Sequence, residues 1–344
     1  MKSQTWLLML VLLPAPALAQ FDNAGTSAAN FLKIGVGSRA EAMAGAYVAQ
    51  ASDISTVFWN VAGLADVRQR ELMIARTDWI LDVNLVAVAV SLPLGENATL
   101  AASVNALSMG DFEETTPEAP DGTGIHLGGS NLAAGLAYAK RLTDRFSVGL
   151  QGKYVGESVA NSKAHGFALD FGTLYQTNFR GLKIGMSISH FGTKLQLSGR
   201  EQLIRVDVAP GLGANPDETP ARLETEAWPM PLVFRLGVSL DVFRFEHQAL
   251  VANVDYFDYR DVAPGFCVGG EYSLNRFVFV RGGFRALTHA DNIDDPDNQT
   301  FLPTLGGGLD LHHAKSSYRL RLDYAYSDLG RLSQAHRFTF AFVF

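Results

Sequence analysis

Residues 335–344 read AHRFTFAFVF. Phe338, Phe340, Phe342 and Phe344 share one parity, and Arg337, Thr339, Ala341 and Val343 share the other. A strand turns that period of two into one greasy face and one mixed face. The pattern recurs upstream. Tyr318, Leu320, Leu322, Tyr324 and Tyr326 oppose Arg319, Arg321, Asp323, Ala325 and Ser327; Leu182, Ile184, Met186 and Ile188 oppose Lys183, Gly185, Ser187 and Ser189. Phe146, Val148, Leu150 and Tyr154 oppose Ser147, Gly149, Gln151 and Lys153, while Leu100, Ala102, Val104 and Ala106 oppose Ala101, Ser103 and Asn105. These stretches approach the ~9–11 residues that a tilted strand needs to cross a membrane. The period predicts roughly fourteen strands, near 70–79, 83–93, 97–108, 129–141, 145–156, 165–177, 181–191, 230–241, 246–258, 265–273, 276–286, 301–312, 317–327 and 335–344.

A water-soluble sandwich could share that alternation, and the connections separate the two. Every second link is tight: Leu94-Gly95-Glu96, Thr143-Asp144, Asn178-Phe179-Arg180, Phe243-Arg244, Leu274-Asn275 and Ala314-Lys315-Ser316. The intervening links include Met109–Gly128, Phe191–Pro229 and Ala286–Thr300, which are far longer. Short turns at one end and long loops at the other are the layout of an outer-membrane barrel. Lipid offers no hydrogen-bond partner, so the sheet must close on itself. The expected fold is therefore an all-β, closed antiparallel transmembrane barrel. Tyr256, Tyr272, Phe277, Phe284, Tyr324 and Tyr326 are candidates for its interfacial aromatic girdles.

The rest of the sequence agrees. The chain has 344 residues, 47% hydrophobic and only 18% charged, which excludes disorder. A net charge of -7 gives no reason to bind phosphate backbones, so nucleic acid is not an expected partner. The single Cys267 rules out an intramolecular disulfide and a cysteine-cluster metal site; it alternates with Phe266 and Val268 and is read as a small wall residue facing the lumen. Lys2, the apolar run Trp6–Leu13 and Ala17-Leu18-Ala19 read as a signal peptide cleaved after Ala19. The chain thus divides into a signal peptide (1–19), an N-terminal segment (20–68) and the barrel (69–344), with export to the bacterial outer membrane as the expected destination.

Residues 21–65 break the period of two and are dense in small side chains, which suits packing in a confined space rather than facing lipid. The stretch Phe31–Ala65, FLKIGVGSRAEAMAGAYVAQASDISTVFWNVAGLA, is similar to the N-terminal signature of the PorV/PorQ family, a branch of the FadL-like outer-membrane barrels. Matching positions are Gly35, Gly37, Arg39, Met43, Gly45, Asp53, Trp59, Asn60, Gly63 and Leu64. Sharp matching is confined to this stretch, while the fourteen-strand layout extends the resemblance over the mature chain. It implies that the segment folds as a hatch inside the barrel. It also implies that the aromatic terminal strand, with Phe340, Phe342 and Phe344, is a C-terminal signal read by the barrel assembly machinery. One position departs: the family's Asn-Pro-Ala-Gly-Leu reads Asn60-Val61-Ala62-Gly63-Leu64, so the φ-fixing proline is missing. Asn60 suits either a helix cap or a tie between hatch and wall. Arg39–Gln50 can form a helix, with Gly45 as its weak point. Gly35-Val36-Gly37 with Asp53 superficially resembles a dinucleotide fingerprint, but Ala40 replaces the third glycine and no βαβ unit follows.

If the apolar parity faces lipid, the other parity turns Arg281, Arg285, Asp310, Arg319, Arg321, Asp323 and Arg337 inward, with Asp170, Arg235, Asp255 and Glu271. This charge cluster is either a network bracing hatch and wall or a selecting constriction. The first strand gives no clean phase, because Ile74 and Arg76 share parity. Two loops are acidic, one with Asp111, Glu113, Glu114, Glu118 and Asp121, the other with Asp291, Asp294, Asp295 and Asp297. Both lack the EF-hand glycine and terminal glutamate and read as solvated surface, so no metal or other cofactor is expected. His126 with Ser130, or His165 with Ser158, has no spacing that marks a catalytic pair, and no G-x-S-x-G, H-E-x-x-H or P-loop is present; no catalytic residues are expected.

The family resemblance implies a role in a type IX-like secretion system, with a translocon and secreted proteins as partners beside outer-membrane lipid. The alternative is a FadL-like channel for hydrophobic small molecules, and a third reading is a structural barrel without transport.

Overall fold

The computed structural model describes residues 25–117, 119–206, 219–288, 299–312 and 318–344. The expected signal peptide, Glu118 and the acidic residues Asp291–Asp297 lie outside these, as does the turn Ala314-Lys315-Ser316. Among the described residues the chain forms strands β1 (Glu71–Asp78), β2 (Asn84–Leu94), β3 (Ala98–Glu113), β4 (His126–Thr143), β5 (Phe146–Val159), β6 (Ser162–Gln176) and β7 (Lys183–Gly192). Three short strands follow within one loop, β8 (Ser198–Gly199), β9 (Leu203–Val206) and β10 (Thr219–Arg222). The remainder are β11 (Val233–Arg244), β12 (Gln248–Tyr259), β13 (Val262–Leu274), β14 (Val278–Thr288), β15 (Gln299–His312), β16 (Arg319–Asp328) and β17 (Gln334–Val343).

β1–β7 and β11–β17 make one antiparallel ring of fourteen strands. Each pairs with its sequence neighbour, β7 pairs with β11, and β1 closes on β17 with Glu71 opposite Val343 and Asp78 opposite His336. Closure gives every barrel strand two hydrogen-bonded neighbours, the condition for crossing lipid. All fourteen strands expected from the period of two are present.

The greasy parity faces outward. Phe338 is 51% exposed and Phe340 41%, whereas Arg337 between β16 and β1 is 2% exposed. Tyr318 stacks on Phe342 and Phe342 on Phe344 at the short-turn end, an aromatic belt at the height where lipid meets water. The ambiguous first strand resolves simply. Ile74 and Arg76 both face outward, and Arg76, close to the loop end of β1, donates to Asp78 at 2.7 Å and to Asn84 at 3.0 Å, so its charge is met at the rim.

The links differ in detail from the sequence expectation. β3 and β4 run beyond the expected ends, so the long link between them shrinks to residues 114–125. There Glu113 accepts from the Gly124 amide and Glu114 from the Thr123 hydroxyl, which turns the acidic side chains inward on their own loop. Two links at the loop end, 160–161 and 260–261, are as tight as those at the turn end. Among the links whose ends the structure describes, the asymmetry therefore rests chiefly on the one from 193 to 232. Its described residues are structured: Leu195 and Trp228 pair backbone to backbone, β8 pairs with the start of β6, and β9 and β10 pair antiparallel.

Candidate functional site

Residues 25–67 fill the lumen, and they do so without a continuous helix. Only Ser38–Glu41 makes an α-helical turn; the helix expected over Arg39–Gln50 stops because Ala44 and Gly45 both take positive φ, 58° and 85°. Gly45 is required there, since a side chain would be strained and would meet the Trp59 ring at 3.0 Å. Short 3₁₀ turns follow at Ile54–Phe58 and Val61–Asp66. Asp53 caps the first through the Ser55 amide, and Asn60 caps the second through the Ala62 amide at 3.1 Å. Asn60 also donates to Val48 O at 2.8 Å and to Thr173 O of β6 at 3.0 Å, so a single side chain serves as both cap and tie. Gly63 permits close approach: a Cβ there would fall 2.7 Å from the Ala51 Cβ. Trp59 spans the segment, its Nε1 donating to Val36 O at 2.8 Å, while Met43 and Leu64 are fully buried.

The segment reaches all fourteen strands of the wall. Ile54–Phe58 packs on β1 and β2, and Val61–Asp66 on β3, β4, β5 and β6. Tyr47 and Val48 amides both donate to Asp255 of β12 at 2.8 Å, Ser38 N donates to Thr339 of β17 at 2.9 Å, and Thr304 of β15 donates to Ala42 O at 3.0 Å. Where backbone meets backbone the wall carries glycine. A Cβ on Gly149 of β5 would lie 2.5 Å from Val61 C, one on Gly185 of β7 2.3 Å from Val48 O, and one on Gly283 of β14 2.6 Å from Met43 C. Gly269 of β13 faces Met43 in the same way, Gly306 of β15 leaves room for the Ala42 side chain, and Gly237 of β11 for the Asp255 carboxylate and the Val48 side chain.

The charges predicted to face inward converge on this segment. Arg39 joins two walls of acid: Nε and Nη2 take both oxygens of Glu271 at 2.8 and 2.7 Å, and Nη1 takes Asp53 at 2.8 Å. Glu271 also accepts from Arg281 at 2.6 Å and from Gln50 at 2.8 Å, and Arg281 continues to Asp323 at 2.5 Å. Arg321 bridges Glu71 at 2.8 Å and Asp53 at 3.4 Å. Arg337 meets Glu41 at 3.1 Å and Ser327 at 2.7 Å, and Arg285 meets Ala44 O at 3.1 Å. Asp310 and Arg319 pair with each other in the wall, apart from the segment. Burial alone would raise the Asp53 carboxyl; the Arg39 and Arg321 cations outweigh it and hold that group well below the usual carboxylate range. Burial pushes the Tyr47 phenol up.

The partners of this network, Glu41, Glu71, Gln50 and the six wall glycines, carry no motif of their own. Glycines at inward parity were the readable signal for the last group, because a wall facing open water gains nothing from lacking side chains.

Two spaces flank the segment. On the turn side a vestibule of about 570 Å³ is lined by charged groups, among them Arg39, Glu271, Arg281 and Arg321. On the loop side a cavity of about 220 Å³ is lined by apolar side chains and by charged ones, Glu41, Lys153, Arg235, Asp255 and Arg285 among them, with His190 and Cys267. Among the described residues no group of three or more His, Cys, Asp or Glu is placed to hold a metal ion.

Comparison with known proteins follows the fold. The model of a family described as type IX secretion system protein PorV matches residues 18–217. No curated protein gives a significant match. Among solved structures, the Pseudomonas putida toluene transporter TodX aligns with TM-score 0.54 and 13% identity, over 84% of this chain and 93% of that one. The Ralstonia pickettii toluene transporter TbuX aligns with TM-score 0.54 and 13% identity, over 90% and 97%. A Pseudomonas aeruginosa FadL homologue aligns with TM-score 0.46 and 10% identity, over 85% and 94%.

Proposed function

The chain belongs to the PorV family of type IX secretion system proteins, and from that premise we propose that this outer-membrane β-barrel works in protein secretion by docking to a translocon or to secreted proteins rather than as an open pore. The observation that supports this reading is the filling of the lumen: residues 25–67 touch every strand of the wall and are held by buried ion pairs and by backbone packing on glycine. Removing one partner from such a pair costs about 3–5 kcal/mol, so the segment is not a loosely held gate. What remains for recognition is the rim, above all the described parts of the loop between β7 and β11 with their exposed Leu203, Leu223 and Trp228. The test is purification in mild detergent from cells expressing the secretion system. Co-isolation of a very large membrane partner supports docking; its absence, together with uptake of hydrophobic solutes by proteoliposomes, contradicts it.

One observation favours a second reading as a channel for hydrophobic small molecules. An apolar groove on the lipid face, walled by Val104, Leu136, Tyr154, Phe167 and Phe191, shares Ser103, Gly135 and Lys153 with the loop-side cavity. The toluene transporters named above have the same fold. The proteoliposome arm of the experiment decides between the two.

A further inference from the structure

The turn-side mouth of the barrel holds more positive charge than its own acids take up. In the vestibule of about 570 Å³, Glu71, Asp241, Glu271, Asp310 and Asp323 each form an ion pair with an arginine. Arg276 lines the same space, is exposed, and among the described residues has no acid to pair with. Lys183 is loosely committed, 3.5 Å from an Asp66 carboxylate whose other oxygen Arg141 holds at 2.6 Å. An adjoining hollow of about 260 Å³, which shares Gln176 with the vestibule, adds Arg68 and Arg145. Both are exposed and without an ion pair among the described residues, and against these cations the two linings offer one unpaired acid, Asp144.

The backbone carries one of these cations at a cost. β13 turns into β14 through Asn275 and Arg276, both at φ 53°. Asparagine suits that left-handed region and glycine is the usual residue after it, so an arginine there makes the harder turn and sets a cation on the vestibule lip.

The placement of the cations defines what they can hold. The short turns of outer-membrane barrels face the periplasm. Arg39, Gln50 and Ser52 of the N-terminal segment close the vestibule from behind, so a ligand entering from that side docks rather than passes. Arg145 in the β4–β5 turn and Arg276 in the β13–β14 turn stand across the ring from each other, with Lys183 of β7 between them. A single small anion meets one of these groups; carboxylates spread along a chain meet several. Arginine pairs with carboxylate in a fixed fork, and separated cations of one sign steer an acidic partner as it approaches.

We propose that the turn-side mouth docks an acidic peptide segment of a periplasmic protein, with its carboxylates on Arg276, Lys183, Arg145 and Arg68. This contact lies at the end opposite the loop rim and does not rest on the secretion reading.

Fluorescence anisotropy on the intact chain in non-ionic detergent tests this with labelled hexaglutamate and hexalysine, and with free glutamate as competitor. Hexaglutamate is expected to bind saturably and at least tenfold more weakly when salt is raised from about 0.03 M to about 0.3 M. Hexalysine does not bind, and free glutamate at the peptide's own concentration does not displace it. The double variant Arg145→Gln with Arg276→Asn removes two cations that hold no ion pair and is expected to weaken hexaglutamate at least fivefold. Lys163→Gln with Lys194→Gln, at the loop end, leaves it unchanged. No binding of hexaglutamate, unchanged affinity in the mouth variant, an equal loss in the loop-end variant, hexalysine binding as tight, or displacement by free glutamate would overturn the proposal. If the mouth variant fails to assemble, Ser273→Glu decides in its place: it sets an acid into the vestibule and should weaken hexaglutamate at least fivefold, and unchanged affinity overturns the proposal.

Discussion

Arg39 grips Glu271 side-on, Nε to Oε2 at 2.8 Å and Nη2 to Oε1 at 2.7 Å, across more than two hundred residues of sequence and from the centre of the lumen to β13. This fork is the anchor of a buried network that runs on through Arg281 to Asp323 and through Asp53 to Arg321 and Glu71. Fork geometry of this kind gives orientation as well as attraction.

Glu271→Gln leaves Arg39 and Arg281 without their shared charge partner. The N-terminal segment should loosen by about 3 kcal/mol, since one side of a buried pair is removed. Trypsin is expected to cut at Lys33 and Arg39 in the variant and not in the parent, while both keep the heat-modifiable gel mobility of a folded barrel. Equal protection in the two would show that the fork does not hold the segment.

Neighbouring glycines on β13 should behave oppositely. A Cβ on Gly269 would meet the Met43 Cβ at 2.5 Å, whereas one on Gly270 meets nothing nearer than Val251 O at 3.7 Å. Gly269→Val therefore displaces the segment or blocks assembly, and Gly270→Val is tolerated, as protease protection will report.

Asp53 makes docking acid-resistant. A carboxyl held low by Arg39 and Arg321 contributes stability that is complete above its unfolded value, about 4, and is lost only as pH falls through the lower folded value. Its other close neighbours, Tyr47 and Glu71, do not supply a positive charge. Protease protection of the segment should persist below pH 4 in the parent, and Asp53→Asn should lose protection already at neutral pH. A parent that releases the segment near pH 5 would contradict this assignment.

Val61 opens a 3₁₀ helix, a position where the backbone N–H needs no intrahelical partner and where proline is favoured. Val61→Pro is expected to stabilise the docked segment by about 0.4–1 kcal/mol by narrowing the undocked ensemble. A rise of the thermal midpoint checks it; a fall would mean that β6, where a Cβ on Gly172 would lie 3.2 Å from Val61 N, is too close for the ring.

The barrel was legible because lipid enforces a strict rule: each crossing strand must show one greasy parity, and Phe338, Phe340 and Phe344 do so without interruption. Arg76 obscured its strand because a rim position relaxes that rule. The interior was less legible. Parity put Arg281, Arg321 and Arg337 inside but could not name their partners, since Glu41, Glu71 and Glu271 meet them only after the ring has closed. The irregular path of residues 42–45 was hidden for a related reason: Ala44 adopts positive φ because its surroundings demand it, and nothing local to alanine signals that.

The central claim is that the N-terminal segment closes the lumen. Conductance of the intact chain in planar lipid bilayers tests it most directly. The account predicts no steady ionic current from the parent and stable channels from Glu271→Gln or Gly269→Val wherever these assemble; steady open-channel current from the parent would contradict it.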